Sequence, residues 1–252
     1  MTRIVTYNVH RCVGTDRRLD VGRVAEVIAA QAPDIVALQE VDVGRARTGG
    51  VDQAHKLAQR LGMAFHFNAA LQVEEELYGD AILTTLPERL VKAGPLPGYR
   101  PIPQLEPRGA LWLEIEVGGK KLQVLNTHLG LAPREQQLQA AALAGDEWLE
   151  SAERRDPLIL LGDFNATAAA KAYRILAAKL TDAYRAPGLR SGGRRRGRIA
   201  TFPSALPMLR IDHVFISDGM RITNLAVADT PRARLASDHL PLMVDFEIEA
   251  CA

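Results

Sequence analysis

The residues in this 252-residue chain that could do chemistry stand where apolar runs stop. RIVTYN ends in Asn8, DIVALQE in Glu40, LQVLNTH in Asn126 and His128, and LILLGDFN in Asp163 and Asn165. RIDHVFIS carries Asp212 near its start, and SDH sets Asp238 and His239 just before the last apolar run. The inventory is carboxylates, carboxamides and imidazoles. That set suits phosphoester hydrolysis. A hard divalent cation takes oxygen ligands together with phosphate and neutralises charge on the phosphoryl group. A histidine oriented by a carboxylate can take the proton of an attacking water. Carboxamides donate to phosphoryl oxygens as charge develops. There is no GxSxG nucleophile elbow, no GxxxxGK[ST] phosphate loop and no cysteine cluster. Each fragment alone is a common capped turn or solvated strand end; together, in this order, they form a constellation.

Such residues must be held by elements that end at one place. Helix and strand patterns alternate along the chain. Short strands are expected at 3–8, 34–39, near 64–68 and 79–85, at 158–162, and near 211–216, 221–228 and 241–248. Residues 109–117 and 121–127 flank Gly118-Gly119 and read as a hairpin. Helices are expected over 21–31 behind Asp20 as cap, over 51–61 ending at Gly62, from Pro133 to about 150, and after Thr167 as cap. Leu138, Leu143 and Leu149 define the expected buried face of the long helix, and Trp112 and Trp148 are expected to pack rather than stack on bases. No Pro/Gly/Ser linker or repeat divides the chain, so residues 1–252 read as one α/β domain, two sheets with helices outside.

Composition narrows the partners. Lysine plus arginine total 31 against 30 for aspartate plus glutamate, a net charge of +1 that excludes a strongly basic nucleic-acid binder but not a local patch. Cys12 and Cys251, at opposite ends of the chain, exclude a disulfide framework and fit a reducing compartment. No apolar run approaches the roughly 20 residues of a membrane helix. A soluble, cytoplasmic monomer is the expectation.

YNVH at 7–10, LQEVD at 38–42, NTHLG at 126–130, GDFNA at 162–166, RIDHVFIS at 210–217 and SDHLP at 237–241 together resemble the endonuclease/exonuclease/phosphatase superfamily. That superfamily includes pancreatic-type deoxyribonuclease, exonuclease III and apurinic endonucleases, neutral sphingomyelinases and inositol polyphosphate 5-phosphatases. The resemblance implies a deoxyribonuclease-like four-layer α/β sandwich, two mixed β-sheets packed face to face with helices outside. It also implies Mg²⁺- or Mn²⁺-dependent phosphoester cleavage. By motif position it makes Glu40 the principal metal-binding acid, with Asn8 beside it and Asp238 at the metal site or just behind it. Asp163 becomes the residue that positions or deprotonates the attacking water, Asn165 a phosphate ligand, and His239 a base or phosphate donor oriented by Asp212. His128 matches a second histidine of the deoxyribonuclease and sphingomyelinase branches, with Asp80 of GDAIL where its partner is expected and Arg108 placed as a phosphate contact.

Several features depart from the relatives. Many carry Asn where this chain has Asp80, and a carboxylate there should favour a protonated His128 acting as general acid. His10 and Asp42 replace a metal-site acid and a DNA-contacting arginine of some nucleases, and Asp42 beside a phosphate backbone would be repulsive. The run Arg190, Arg194, Arg195, Arg196 and Arg198 is either a solvated loop or a contact for a polyanion or an anionic membrane surface. The sequence therefore predicts a phosphodiesterase acting on a small phosphodiester or phospholipid head group, ahead of a DNA or RNA nuclease and a sugar or inositol phosphomonoesterase. A non-catalytic scaffold would have lost an acid, amide or histidine from these motifs, and none is lost.

Overall fold

The computed structural model describes residues 1–186, 189 and 199–249; the arginine run 190–198 and Cys251 lie outside them. Two six-stranded sheets are present among these residues. The first runs β11 (Met220–Val227), β12 (Leu242–Ile248), β1 (Thr2–Asn8), β2 (Ile35–Val43), β4 (Glu76–Thr84) and β3 (Ala64–Val73). The second runs β5 (Glu88–Pro95), β6 (Gly109–Val117), β7 (Lys120–His128), β8 (Leu158–Asp163), β10 (Asp212–Ile216) and β9 (Thr181–Asp182). Both follow one direction pattern. A single parallel pair, β1/β2 or β7/β8, lies at the centre, with antiparallel pairs on either side. A parallel pair needs a crossover; α1 (Val21–Ala29) supplies the first and α3 (Pro133–Ala144) the second.

The sheets stack face to face over one apolar layer that includes Ile4, Ile35, Leu113, Val124, Ile159, Val214 and Phe246. A second apolar layer joins the first sheet to α1, α2 (Gln53–Leu61) and α5 (Pro231–Ala236). A third joins the other sheet to α3 and α4 (Lys171–Ala177). The expected four-layer α/β sandwich is thus the observed fold. No helix among the described residues is long and apolar enough to cross a membrane.

Side chains alternate between faces along a strand, and here the inner face changes character along its length. β1 presents Ile4, then Thr6, then Asn8; β2 presents Ile35, Ala37, then Gln39; β7 presents Leu122, Val124, Asn126, then His128; β8 presents Ile159, Leu161, then Asp163. At the intermediate level Gln39 Nε2 donates to Asn126 Oδ1 (2.8 Å) and Thr6 Oγ1 (3.1 Å), while Asn126 Nδ2 donates to the carbonyls of Leu38 and Ala81 (2.9 and 3.0 Å). This buried amide layer ties the two sheets together and forms a floor between the apolar core and the polar strand ends above it.

Helix ends follow local chemistry where capping is present. Asp20 accepts from Arg23 N and Asp52 from His55 N, and Gly62 adopts the left-handed C-terminal conformation. Other expectations are corrected. β5 is an additional strand, β3 reaches Val73, and α4 begins at Lys171 behind Ala170, with no side-chain cap from Thr167. α3 ends at Ala144 rather than near 150, and Leu138 on it is 45 % exposed, whereas Leu143 and Leu149 are buried. The inward face of α3 includes Gln136 and Gln139, which bond the loop after β7. Gln136 Nε2 donates to Gly130 O (3.0 Å) and Asn165 O (2.9 Å), and Gly130 N donates to Gln139 Oε1 (2.8 Å). A periodicity of apolar residues cannot find a face made of glutamine. Trp112 and Trp148 are buried packing residues, as expected.

Candidate active site

Glu40 reaches the site through a backbone irregularity. Strict alternation after Gln39 would point it toward the helices. A bulge between Leu38 and Val41 interrupts the ladder to β4, and Glu40 takes φ 58°. Two successive side chains then face inward, and Val41 returns to the helix side. Asp163 ends β8, with His128 and Asp212 as its register partners on the two neighbouring strands. Gly162 makes the close β7/β8 pairing possible: its φ is 141°, and a Cβ there would lie 1.8 Å from Thr127 O. Asp163 Oδ1 accepts from Asn165 N (2.8 Å), folding a tight turn in which Asn165 takes φ 47° and its side chain turns back toward His128.

These groups share a cleft of about 310 Å³ whose lining includes Glu40, Arg108, His128, Asp163, Asn165, Asp238 and His239. Asn8 Nδ2 donates to both Glu40 Oε1 and Asp163 Oδ2, each at 3.0 Å. Asp212 Oδ2 lies 3.0 Å from His239 Nδ1, and His239 Nε2 lies 3.5 Å from Asp163 Oδ2. Phe202 covers the His239 ring at 4.9 Å. Ser237 Oγ donates to Asn8 O (2.8 Å), tying the SDH turn to the end of β1.

The charges in this cluster are mutually dependent. Burial raises the Asp163 carboxyl, with Asp212 adding to the effect against His239 and the bond from Asn8. Burial opposes charge on His239, but Asp212 and Asp163 outweigh it and raise the imidazole. His128 moves the other way: burial, then Arg108 and His239, hold it well below its ordinary value and therefore neutral.

The donor set fits a hard divalent cation. Two carboxylates, Glu40 and Asp163, converge on one amide nitrogen, and Asp212 Oδ1 is buried without a hydrogen-bond partner. Ligand atoms of Asp163, Asp212 and His239 also lie within 4.8 Å of one another, a grouping able to hold a metal. Asp212 already engages His239 Nδ1, so these two read better as an acid–base pair, with Asp163 shared between them and the Glu40–Asn8 side.

Asn8, Glu40, His128, Asp163, Asn165, Asp212, Asp238 and His239 all converge, and Arg108 joins them. Asp80 does not meet the cleft. It is 2 % exposed, its Oδ2 has no hydrogen-bond partner, and burial raises its carboxyl well above the ordinary range. The expected pairing with His128 is replaced by Arg108, whose Nη1 lies 3.0 Å from His128 Nδ1. A guanidinium only donates, so Nδ1 accepts from Arg108, while Nε2 has Asn165 Nδ2 at 3.0 Å and Asp163 Oδ2 at 3.4 Å. Asp42 is corrected too. It is fully buried and grips Arg47 through two bonds of 2.8 and 2.6 Å, so no bare carboxylate faces the cleft there. Arg11, Arg47, Tyr78, Glu106, Leu131 and Phe202 complete the lining without having been foreseen. A signal existed for two of them: Tyr78 shares a strand face with Asp80, and Arg47 precedes the Gly49-Gly50 turn directly after the Glu40 strand.

The profile of the Endonuclease/Exonuclease/phosphatase family matches residues 5–239. The protein YbhP of Escherichia coli K12 is 26 % identical over 98 % of this chain and 96 % of its own. A Bacteroides thetaiotaomicron mannosyl-6-phosphatase has the same fold with TM-score 0.77 and 20 % identity, covering 98 % of this chain and all of that one (100 %). The catalytic domain of human Nocturnin, solved with bound sulfate, follows at TM-score 0.70 and 24 % identity, over 98 % of this chain and 94 % of that one. The match to the family profile spans nearly all the strands that carry the cleft, and the chain belongs to the endonuclease/exonuclease/phosphatase family.

Proposed function

We propose that the chain is a Mg²⁺- or Mn²⁺-dependent phosphodiesterase that cleaves small phosphodiesters, with phospholipid head groups as the first substrate class, by direct attack of water. The observation that carries the reaction is the Asp212–His239–Asp163 arrangement facing Glu40 and Asn8 across one small cleft. Asp212 fixes the Nδ1 hydrogen of His239 and leaves Nε2 directed at Asp163. A water held between Nε2 and Asp163 gives its proton to the imidazole as its oxygen attacks phosphorus, and the leaving oxygen departs on the opposite side and takes its proton from solvent. Neutral His128 is held between Arg108 and Asn165, and those two side chains donate to phosphoryl or leaving oxygens. It therefore positions these donors rather than acting as the imidazolium acid the sequence predicted. Glu40, Asp163, Asp238 and Asn8 would hold the cation, which supplies charge neutralisation on the phosphoryl group.

The rim supports a lipid substrate. Leu131 on one wall is 70 % exposed; Leu206 and Met208, on the turn after the His239-covering Phe202, are 65 % and 54 % exposed. That turn is clipped to the cleft by Ser204 N donating to Asp238 O (2.6 Å). An exposed apolar side chain on the wall of a polar cleft, with further ones on a turn bonded to it, favours a contact surface. A nuclease reading has its own support, since Arg11, Arg47 and Arg108 line the cleft and the expected repulsion from Asp42 is absent.

The test is hydrolysis of bis(p-nitrophenyl) phosphate and p-nitrophenyl phosphate with Mg²⁺ or Mn²⁺, against EDTA and Glu40→Gln. Metal-dependent diester cleavage lost in the variant is expected; preference for the monoester would replace this reading with a phosphomonoesterase. Phospholipid vesicles and duplex DNA across a salt series then separate the two substrates. Lipid cleavage with a shallow salt response supports the first reading, and steeply salt-dependent DNA cleavage supports the second.

A further inference from the structure

We propose that Arg47, with Arg11 beside it, forms a second anion-binding subsite in the cleft, which accepts a carboxylate or phosphate carried by the substrate apart from the phosphoryl group that reacts. The proposal rests on the phosphoester reading above and names a property of its substrate.

One buried network positions both arginines. Asp42 takes Arg47 Nε (2.8 Å), Arg47 Nη2 (2.6 Å) and Thr48 Oγ1 (3.0 Å). Its backbone N donates to Gln53 Oε1 (3.0 Å), and Gln53 Nε2 in turn donates to Arg11 O (2.7 Å). Asp42 and Gln53 are both fully buried. The turn that presents Arg11 is strained: His10, Arg11 and Cys12 take φ of 44°, 56° and 56°, a left-handed run that side chains other than glycine rarely adopt. The Gln53 bond holds that turn against the end of β2.

Arg47 does more than neutralise Asp42. A partner serving only the buried acid would be buried with it, but the Arg47 side chain is 35 % exposed and lines the cleft. Its bidentate grip leaves Nη1 without a hydrogen bond among the described residues, and its guanidinium lies 5.1 Å from the centre of the Tyr78 ring. Aspartate on one edge and the aromatic ring on its face fix the fork before any ligand arrives, so little side-chain freedom remains to be lost on binding. Glu106, the other acid on this side, is occupied by Arg108 at 2.7 Å. The Arg47 guanidinium lies against the Tyr78 ring, whereas the Arg108 guanidinium acts on the Tyr78 hydroxyl. The second anion would therefore sit on the Arg47 side of Tyr78, apart from the phosphoryl group held by Arg108.

A size-matched pair of ligands tests this by calorimetry with Mg²⁺ present: sn-glycerol 3-phosphate and 3-phosphoglycerate, which differ by a hydroxymethyl group against a carboxylate. Wild type is expected to bind 3-phosphoglycerate at least tenfold more tightly. Arg47→Gln should bring that ratio close to one, and Arg47→Lys, which keeps charge but loses the fork, should leave an intermediate ratio. A wild-type ratio near one would overturn the subsite, and so would an equal loss for both ligands in Arg47→Gln, which would place Arg47 on the reacting phosphoryl group instead. If Arg47→Gln does not fold, Arg11→Gln carries the same expectation in weaker form, a fall in the ratio, and an unchanged ratio there counts against the proposal. Chromogenic diester hydrolysis is read separately: a selective ratio without hydrolysis sinks the phosphodiesterase reading and keeps the subsite, whereas hydrolysis without selectivity does the reverse.

Discussion

Asp163 is surrounded by groups that pull its proton in different directions. Asn8 and Asn165 bond its ionised form, Asp212 and burial oppose that form, and His239 stabilises it. The pair that sets the pH response is His239 with Asp212, since the carboxylate at 3.0 Å is the strongest influence raising the imidazole against burial. Asp212→Asn removes that charge and keeps the shape. The expected outcome is a fall in turnover of roughly 10²–10⁴-fold, the usual scale for general-base catalysis. The base must be unprotonated to act, and the variant holds its proton less tightly. The ascending limb of the pH–rate profile should therefore move to lower pH. A loss of rate with the limb unmoved would show that another group titrates there. At this scale the sequence was informative wherever a residue's position in a motif decides its place. Glu40, Asp163, Asn165 and His239 were all marked by the apolar run before or after them. Arg11 and Arg47 were not, because their entry into the cleft depends on the burial of Gln53, which reads as an ordinary polar residue, and of Asp42, which the sequence set beside the phosphate instead. Asp80 and His128 were paired by the family resemblance, which gave Arg108 only as a phosphate contact, whereas in the structure Arg108 meets His128 Nδ1.

The elements deliver these residues through two devices that hydrophobic patterning conceals. The bulge in β2 reverses Glu40 relative to strict alternation, and a pattern of period two has no means of registering it. In α3 the inward glutamines take the loop that follows His128, so the face that matters for the site is polar. The leucines then mislead: Leu138 points outward, whereas Leu143 packs with Trp148 and Leu160 in the outer apolar layer. Leu143→Ala should destabilise the protein by about 2–5 kcal/mol through lost burial and a cavity. Leu138→Ala should change stability by no more than about 0.5 kcal/mol. Urea denaturation measures both, and similar losses for the two would mean that α3 is rotated from its described setting. The remaining strands were easier to read. Fully buried runs such as LILLG and hairpin signals such as Gly118-Gly119 carry their own structural reason, whereas β5, only partly buried and mixing charged with apolar residues, does not.

At the scale of the whole molecule, acid sensitivity should be governed in part by a histidine far less visible than those of the cleft. His213 lies in RIDHVFIS one residue after Asp212, but alternation sends it to the opposite face of β10, under α4. There it is fully buried among Phe164, Tyr173 and Phe215, with ring centres 5.0 to 5.9 Å away. Its Nε2 donates to Ala166 O (2.8 Å), and Nδ1 has no partner. Burial, reinforced by Arg210, pushes the imidazole down from 6.5 to about 4. The sign follows from proton counting. Above pH 6.5 the ring is neutral folded or unfolded and adds no slope. Between 6.5 and about 4 the unfolded chain binds a proton that the folded chain refuses, so stability falls as pH falls. The span corresponds to a loss on the order of 3 kcal/mol by pH 4. His128 acts in the same direction, while the raised carboxyls of Asp80, Glu135 and Asp163 act in the opposite one. A difference measurement is therefore needed. His213→Phe keeps an aromatic ring in an aromatic pocket and leaves Ala166 O without its donor, a pH-independent cost of about 1–3 kcal/mol. Urea denaturation from pH 7.5 to 4.5 should then show a variant less stable than wild type at neutral pH but with a shallower acid slope, so that the two curves approach as pH falls. Parallel curves would mean that His213 opens to water before it protonates, and that the outer layer between α4 and the second sheet is looser than its packing implies.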